Sequence, residues 1–377
     1  MRIVQLANLV HPTSGGIARV IDRLGAGYLA AGHHRTVITA GRATRLWTGE
    51  DGTQRATLIG PQVPTSGGYR VVVDRARLRR LLTAARPDAI ELSDRLTLTW
   101  VAGWARERRI PVTIIVHERL EHALQTFLPA GLGATASATR ADRWLATRPA
   151  GLVAPSRFAA AAFSDGRAAV VPWGVDLTTF HPARRRRPHD PGGPVRLALV
   201  GRLSREKRPD LAIGALRVLR GQGIDAELTI VGDGPQREAL RRSGWDLPVR
   251  CIGHQPTLEV ATELADADVC LAPCPAEAFG LAALEALACG TPIAAARTGA
   301  LPELLGVEAG RSVATPAGAT AGATPQALAF AVHRVLRVPE HTRRAAARAA
   351  AETRGWPDAI QAMLAHHERA TTYEPAV

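Results

Sequence analysis

A single lysine, Lys207, stands in a 377-residue chain that carries the rest of its positive side chains as arginine. Such a choice asks, at that one position, for a compact point charge in place of a planar fork. Cysteine is scarce as well: Cys251, Cys270, Cys274 and Cys289 all fall in the second half, in apolar or turn-like surroundings. That distribution argues against a disulfide framework, and Cys270 and Cys274 lack the second Cys or His pair that would complete a zinc site. Buried free thiols are expected. Long apolar runs are missing, since 158–163 and 327–332 fall far short of the ~20 residues that span a membrane. The opening segment 1–10 reads as a short strand without a long apolar stretch and cleavage site, so no signal peptide is expected and the protein is placed in the cytoplasm.

What the chain does have is arginine, which brings the formal net charge to +13. A balance so basic would suit nucleic acid or an anionic membrane. No basic motif interleaved with aromatics appears, so no nucleic-acid partner is expected. Most arginines are scattered among Ala, Gly and Pro, but two clusters stand apart. One is 184–187, and the other is a helix-like stretch over 75–86, where Arg75, Arg79 and Arg86 share a face opposite Leu78, Leu81 and Leu82. Peripheral contact with the inner face of a membrane therefore stays open.

The length suits two cores of roughly 150 to 200 residues each. Short apolar runs bounded by turn residues alternate with helical patterns in both halves, the mark of parallel sheets with crossover helices. Strands are expected at 3–6, 36–39, 89–92 and 112–116, then at 196–200, 227–231, 249–252, 269–272 and 292–295. Helices are expected at 17–31, 75–86, 98–108, 209–220, 235–242 and 280–288. The Pro-, Gly- and Arg-rich stretch 171–194 reads as a connection and hinge. The division is thus an N-terminal domain over 1–172, a linker over 173–194, a C-terminal domain over 195–355, and a terminal helix and tail over 356–377. Residues 314–324 read as a mobile loop.

In open parallel sheets the ligand edge lies where strands end in polar loops. Four constellations sit there. Ser14, Gly15 and Gly16 follow the opening strand and precede a helix, an arrangement that lets backbone approach an anion; a tight turn would explain them equally. Gly201, Arg202 and Lys207 follow the first strand of the second half and would set two cations beside a diphosphate, against the alternative of a solvated basic turn that already accounts for Arg205 and Arg208. Glu277, Phe279, Gly280 and Leu281 run into Glu285. The N–H groups near Phe279 to Leu281 would meet phosphate, Glu285 a ribose and Glu277 a sugar. Glu285 lies in an Ala-rich helix, where a carboxylate costs free energy without a partner. Last, His117 closes the strand 112–116, placed either for a sugar or as an ordinary satisfied histidine. The neighbouring Glu118, Glu121 and His122 do not match the His-Glu-x-x-His zinc helix. Asp266-Ala267-Asp268 has the form of a manganese-binding pair, but beside the apolar strand 269–272 it reads as a cap or turn, and no metal is expected.

Taken together these segments resemble family 4 glycosyltransferases, whose architecture is GT-B, an α/β fold of two Rossmann-like domains facing a central cleft. The likeness is carried by Ser14-Gly15-Gly16, Val171-Pro172-Trp173-Gly174-Val175-Asp176 with Phe180, Gly201-Arg202 with Lys207, Val231-Gly232-Asp233-Gly234, and Glu277 to Glu285 followed by Gly290-Thr291-Pro292. The resemblance implies that Arg202 and Lys207 hold the diphosphate, Glu285 the ribose and Glu277 the donor hexose, with His117 beside the transferred sugar. Two departures are Thr298-Gly299-Ala300 where the family often has Gly-Gly, and Trp173 where Asn is common. The N-terminal half resembles actinobacterial mannosyltransferases, which favours GDP-mannose over a UDP-sugar as donor.

The expectation is a metal-independent, retaining transferase that needs no cofactor beyond its nucleotide-sugar donor and forms an α-linkage. Charge on the departing diphosphate would be stabilised by Arg202, Lys207 and helix N-termini. The acceptor is open between a lipid, a glycan and a small natural product. A nucleotide-sugar epimerase of the same fold and a non-catalytic nucleotide-sugar sensor are the alternatives. A dinucleotide oxidoreductase is disfavoured because the third glycine and acidic ribose partner are missing.

Overall fold

Runs such as Ile-Val-Gln-Leu-Ala at the start of the chain are buried almost throughout, as strands covered on both faces require. The computed structural model describes residues 1–8, 10, 16–63, 68–117, 151–163, 166–188, 190 and 192–372. Ser14 and Gly15, together with Glu118, Glu121 and His122, lie outside the described residues. The chain divides into two units, Met1–Pro172 with Trp356–Val377, and Trp173–Gly355.

The first unit runs β1 (Arg2–Ala7), α1 (Gly16–Ala30), β2 (His34–Gly41), β3 (Arg45–Thr48), β4 (Gln54–Ile59), α2 (Arg75–Ala85), β5 (Ala89–Leu92), α3 (Trp100–Arg106), β6 (Val112–Ile115), β7 (Gly151–Ala154), α4 (Arg157–Ala160) and β8 (Ala168–Val170). Among the described residues these strands form one sheet ordered β3-β4-β2-β1-β5-β6-β7-β8. All neighbours are parallel except β3, which runs antiparallel to β4 at the edge. The order reverses between β1 and β5, so the loops after those two strands diverge and open a crevice. Asp74 caps α2 by accepting Arg77 N–H at 2.9 Å. Leu78 and Leu82 are fully buried and Leu81 half-buried. Arg75 and Arg79 are exposed on α2, but Arg86 does not share their face: it leaves the helix as its C-cap in the left-handed conformation, with φ 47°.

The second unit runs β9 (Val195–Val200), α5 (Pro209–Gly221), β10 (Ala226–Val231), α6 (Arg237–Ser243), β11 (Val249–Gly253), α7 (Thr257–Asp266), β12 (Val269–Ala272), α8 (Leu281–Ala288), β13 (Ile293–Ala296), α9 (Leu301–Leu304), β14 (Ala314–Thr315), β15 (Gly318–Ala321), α10 (Pro325–Leu336) and α11 (Glu340–Glu352). Its sheet is ordered β11-β10-β9-β12-β13-β15-β14, with the reversal between β9 and β12. Leu197, Leu199, Leu228 and Ile230 from the strands pack with Leu211, Leu216, Leu328 and Val332 from α5 and α10 in one core. Thr324 opens α10 by accepting Ala327 N–H, with Pro325 following in the first turn.

Residues 314–324 are not a loop. They hold β14 and β15, and β15 is buried along its whole length against β13. Its sequence, Gly-Ala-Thr-Ala, has one β-branched residue and so lacks the pattern that marks a strand; at Gly318 a Cβ would come within 2.4 Å of the Ile293 carbonyl oxygen. Residues 173–194 fall within the second unit. Trp173, Val175 and Phe180 are buried there. The arginines of 184–187 are largely engaged: Arg185 pairs with Glu340 at 2.6 Å, Arg186 with Glu259 at 3.2 Å and Arg187 with Glu227 at 3.1 Å.

The terminal helix α12 (Trp356–Thr372) belongs to the first unit. His367 Nε2 meets the buried Glu91 carboxylate at 2.7 Å, and Tyr28 Oη and Gln5 Nε2 donate to the same carboxylate at 2.5 and 2.8 Å. Burial opposes the charge on Glu91, but these hydrogen bonds outweigh it and hold the carboxyl below its ordinary pKa. A helix 276 residues distant in sequence is thereby tied to the centre of the first sheet.

Candidate functional site

At the carboxyl edge of the second sheet, four loops are stitched together by short polar contacts. Gly201 and Arg202 follow β9, and the chain then makes a 3-10 turn over Arg205–Lys207. Lys207 Nζ donates to Glu277 Oε2 at 2.9 Å, joining this loop to the one after β12. Cys274 Sγ, in the β12 loop, donates to the Glu206 carbonyl at 3.2 Å and makes a second link. The loop after β13 closes from the other side, with Ala300 N–H on the Glu277 carbonyl at 2.8 Å and Thr298 Oγ1 on the Pro275 carbonyl at 2.9 Å. From β10, Gly232 presses so near that a Cβ there would sit 1.9 Å from the Gly201 carbonyl oxygen, and its φ of 133° is open only to glycine. The loops around Arg202, Lys207 and Glu277 are thus held at the sheet's switch point, where open α/β sheets take their ligands.

The β12 loop feeds directly into α8. Gly280 is the N-cap, with φ 93°, and neither a capping side chain nor an acid occupies the first turn. The backbone N–H groups of that turn are therefore suited to an anion. Phe279 is buried and Leu281 half-buried. Glu285 lies about one turn into α8 and is only 4% exposed. Arg202 and Lys207 are half-buried, whereas Arg205 is exposed and Arg208 turns aside to Asp210. The structure therefore brings Arg202, Lys207, Glu277, Phe279, Gly280, Leu281 and Glu285 to one edge of one sheet.

Gly16 and His117 belong to the first unit. Gly16 is the first residue of α1, and His117 follows β6 at the carboxyl edge of that sheet. His117 Nε2 lies 2.9 Å from Ser93 Oγ, which follows β5. Burial, with Arg95 adding to it and Glu91 opposing, pushes the imidazole down to about 4, so it is neutral near pH 7. The adjacent Asp94 is buried and accepts from Asn8 Nδ2 at 2.9 Å, Thr97 Oγ1 at 2.8 Å and the N–H groups of Leu96 and Thr97. Asn8, Ser93 and Asp94 were not among the residues expected from sequence. Their signal is weak: a lone polar residue at a strand's end, informative only once the strand order is known.

The two aspartates of the manganese-like pair are engaged in structure. Asp266 accepts the N–H groups of Arg186 and Arg187 at 2.7 Å each. Asp268, 4% exposed, accepts Arg196 N–H at 2.9 Å. Cys270, Cys274 and Cys289 are buried free thiols, each pushed up to about 12 by burial, and Cys251 is a half-buried free thiol. Cys270, Cys274 and Cys289 therefore stay protonated near neutral pH, and burial also raises Cys251.

Two Rossmann-like units, each with its reversal of strand order, and a basic edge beside an uncapped helix define a class of fold. Solved structures share it over their full length. Sucrose-phosphate synthase from Thermosynechococcus elongatus matches with a TM-score of 0.75 at 20% identity, covering 97% of this chain and 98% of that one. Anabaena Alr3699/HepE in complex with UDP matches with a TM-score of 0.71 at 18% identity, covering 98% and 100%. The architecture is GT-B. Residues 14–179 match the model of Glycosyltransferase Family 4, and residues 194–337 that of Glycosyl transferases group 1. A GDP-mannose-dependent alpha-(1-6)-phosphatidylinositol dimannoside mannosyltransferase of Mycobacterium tuberculosis is 42% identical over 373 residues, 97% of this chain and 95% of the relative. The chain belongs to the family 4 glycosyltransferases.

In the first unit, α2 and α3 border an open groove of about 670 Å³ lined by Arg79, Arg80, Arg108, Trp100 and Trp104 among others. Arg75 and Arg79 lie over the Trp100 ring at 5.5 and 5.3 Å, and Arg108 over Trp104 at 4.6 Å. Among the described residues no helix is long and apolar enough to cross a membrane.

Proposed function

We propose that this enzyme transfers mannose from GDP-mannose, with retention and an α-linkage, to a hydroxyl of a phosphatidylinositol mannoside or a glycolipid of that chemistry. The donor and acceptor rest on the relative that is 42% identical across nearly the whole chain. The observation that carries the chemistry is the Lys207–Glu277 contact, which joins the β9 and β12 loops beside the start of α8.

In this reading the pyrophosphate lies against Arg202, Lys207 and the N–H groups of the first turn of α8. As the anomeric C–O bond breaks, negative charge grows on the leaving GDP, and preorganised cations and N–H dipoles stabilise it more than the ground state. Arg202 offers a fork and Lys207 a mobile point charge. Glu285 accepts from the ribose, and Glu277 from the mannose hydroxyls. Gly16 gives backbone access at the start of α1, and His117, neutral, exchanges a hydrogen bond with the transferred sugar. With the diphosphate neutralised by side chains, and Asp266 and Asp268 occupied elsewhere, the reaction proceeds without a bound metal.

A lipid acceptor also calls for a membrane. The arginine-lined groove of α2 and α3 fits an anionic bilayer surface, because Arg79, Arg80 and Arg108 are exposed guanidinium groups that can pair with lipid phosphates.

The test is incubation with a donor panel, with and without extracted glycolipid, in the presence of EDTA. The reading expects GDP release from GDP-mannose only when glycolipid is added, together with an α-mannosidase-sensitive product. Release without acceptor would indicate an epimerase, and binding without release a sensor.

A further inference from the structure

The contact between Ser93 and His117 joins the loops after two neighbouring strands of the first unit. Ser93 follows β5 and His117 follows β6, two parallel neighbours whose register pairs Leu92 with Ile114. The Ser93 N–H bonds the Leu6 carbonyl of β1 at 2.9 Å, which fixes its backbone across the switch point. The next residue, Asp94, is locked by Asn8 and Thr97, and Asn8 Oδ1 in turn accepts Val72 N–H at 2.9 Å. The hydroxyl at 2.9 Å from His117 Nε2 is therefore carried on backbone that cannot easily shift. A half-buried imidazole with one nitrogen held this way has its rotation restrained, and a hydroxyl can serve either tautomer because it both donates and accepts.

We infer that Ser93 is a positioning residue for the transfer step, orienting the His117 imidazole through its hydroxyl. The inference rests on the proposed part of His117 in transfer. It requires that Ser93 act through His117 and through nothing else.

A double-mutant cycle on the full chain tests this, using GDP-mannose and extracted glycolipid and comparing Ser93→Ala, Ser93→Thr, His117→Gln and Ser93→Ala/His117→Gln. Thermal melts show that each variant is folded. Ser93→Ala is expected to lower kcat about tenfold, since small misplacements of an orienting group have effects of that order or more, with KM for the donor little changed. Ser93→Thr, which keeps the hydroxyl, restores most of the rate. On the His117→Gln background, Ser93→Ala has no further effect. The assignment is overturned if Ser93→Ala turns over like the unaltered enzyme while His117→Gln is impaired, or if Ser93→Ala costs the same factor on both backgrounds. If His117→Gln alone leaves kcat intact, the part given to His117 fails first, and the assignment of Ser93 goes with it.

Discussion

Lys207 and Glu277, seventy residues apart in sequence, meet at 2.9 Å and bridge the loops that follow two adjacent parallel strands. Their side chains are 32% and 21% exposed, so the pair contributes at most ~1 kcal/mol to stability. It ties together the two loops where the donor is proposed to bind. Glu277→Gln is therefore expected to lower kcat/KM about a hundredfold while the melting temperature moves by less than about 3 °C. Steady-state kinetics beside a thermal melt checks both. A variant with normal kinetics would remove Glu277 from the sugar site.

Gly299 supports the same loop from behind. Its φ is 78°, and a Cβ there would come within 3.0 Å of the Glu277 backbone N and O. Gly299→Ala forces the left-handed strain of roughly 1–2 kcal/mol and a shift of the 275–280 backbone. Loss of donor affinity larger than the loss of stability is the expected result, seen by comparing donor KM with the denaturation midpoint.

The histidines give stability a pH dependence with a definite sign. Burial first, with nearby arginines adding to it, pushes His117 and His366 each down to about 4 from the ordinary 6.5; His366 also feels His367. The unfolded chain therefore takes up protons at these sites before the folded chain does. Stability falls as pH drops through the window from 6.5 to about 4 and is unaffected by them above it. Urea midpoints at pH 7, 6 and 5 should decline, and the decline should be shallower in His117→Gln/His366→Gln.

The groove of α2 and α3 should make association with membranes dependent on charge. Sedimentation with phosphatidylglycerol vesicles is expected, with little on phosphatidylcholine and release by high salt. Arg79→Ser/Arg80→Ser/Arg108→Ser should weaken binding about a hundredfold, at ~1 kcal/mol for each arginine near the surface. Equal pelleting of the triple variant would place the contact elsewhere.

Much of this molecule is legible in its residues, for physical reasons that differ from place to place. The strand Ala89–Leu92 forms over the residues expected of it because Ala-Ile-Glu-Leu, mostly apolar, is bounded by the turn residues Pro87-Asp88 and Ser93-Asp94. Lys207 is conspicuous by composition alone. By contrast β3 is exposed at all four positions, so no buried face imprints a pattern on it. Arg86 continues the helical spacing of α2 in sequence yet leaves it in space, because helix ends depend on caps and not on periodicity. Ser93 gains meaning only from the strand order, which brings the ends of β5 and β6 side by side. Long-range pairings of that kind leave no local mark.

The most direct measurement is calorimetric titration of the unaltered enzyme and Lys207→Ala with GDP and with GMP. The account predicts that the unaltered enzyme binds GDP more tightly than GMP, and that Lys207→Ala loses about tenfold or more for GDP, as expected for a charge-assisted contact to phosphate, while GMP binding barely changes. Undiminished GDP affinity in Lys207→Ala would contradict it.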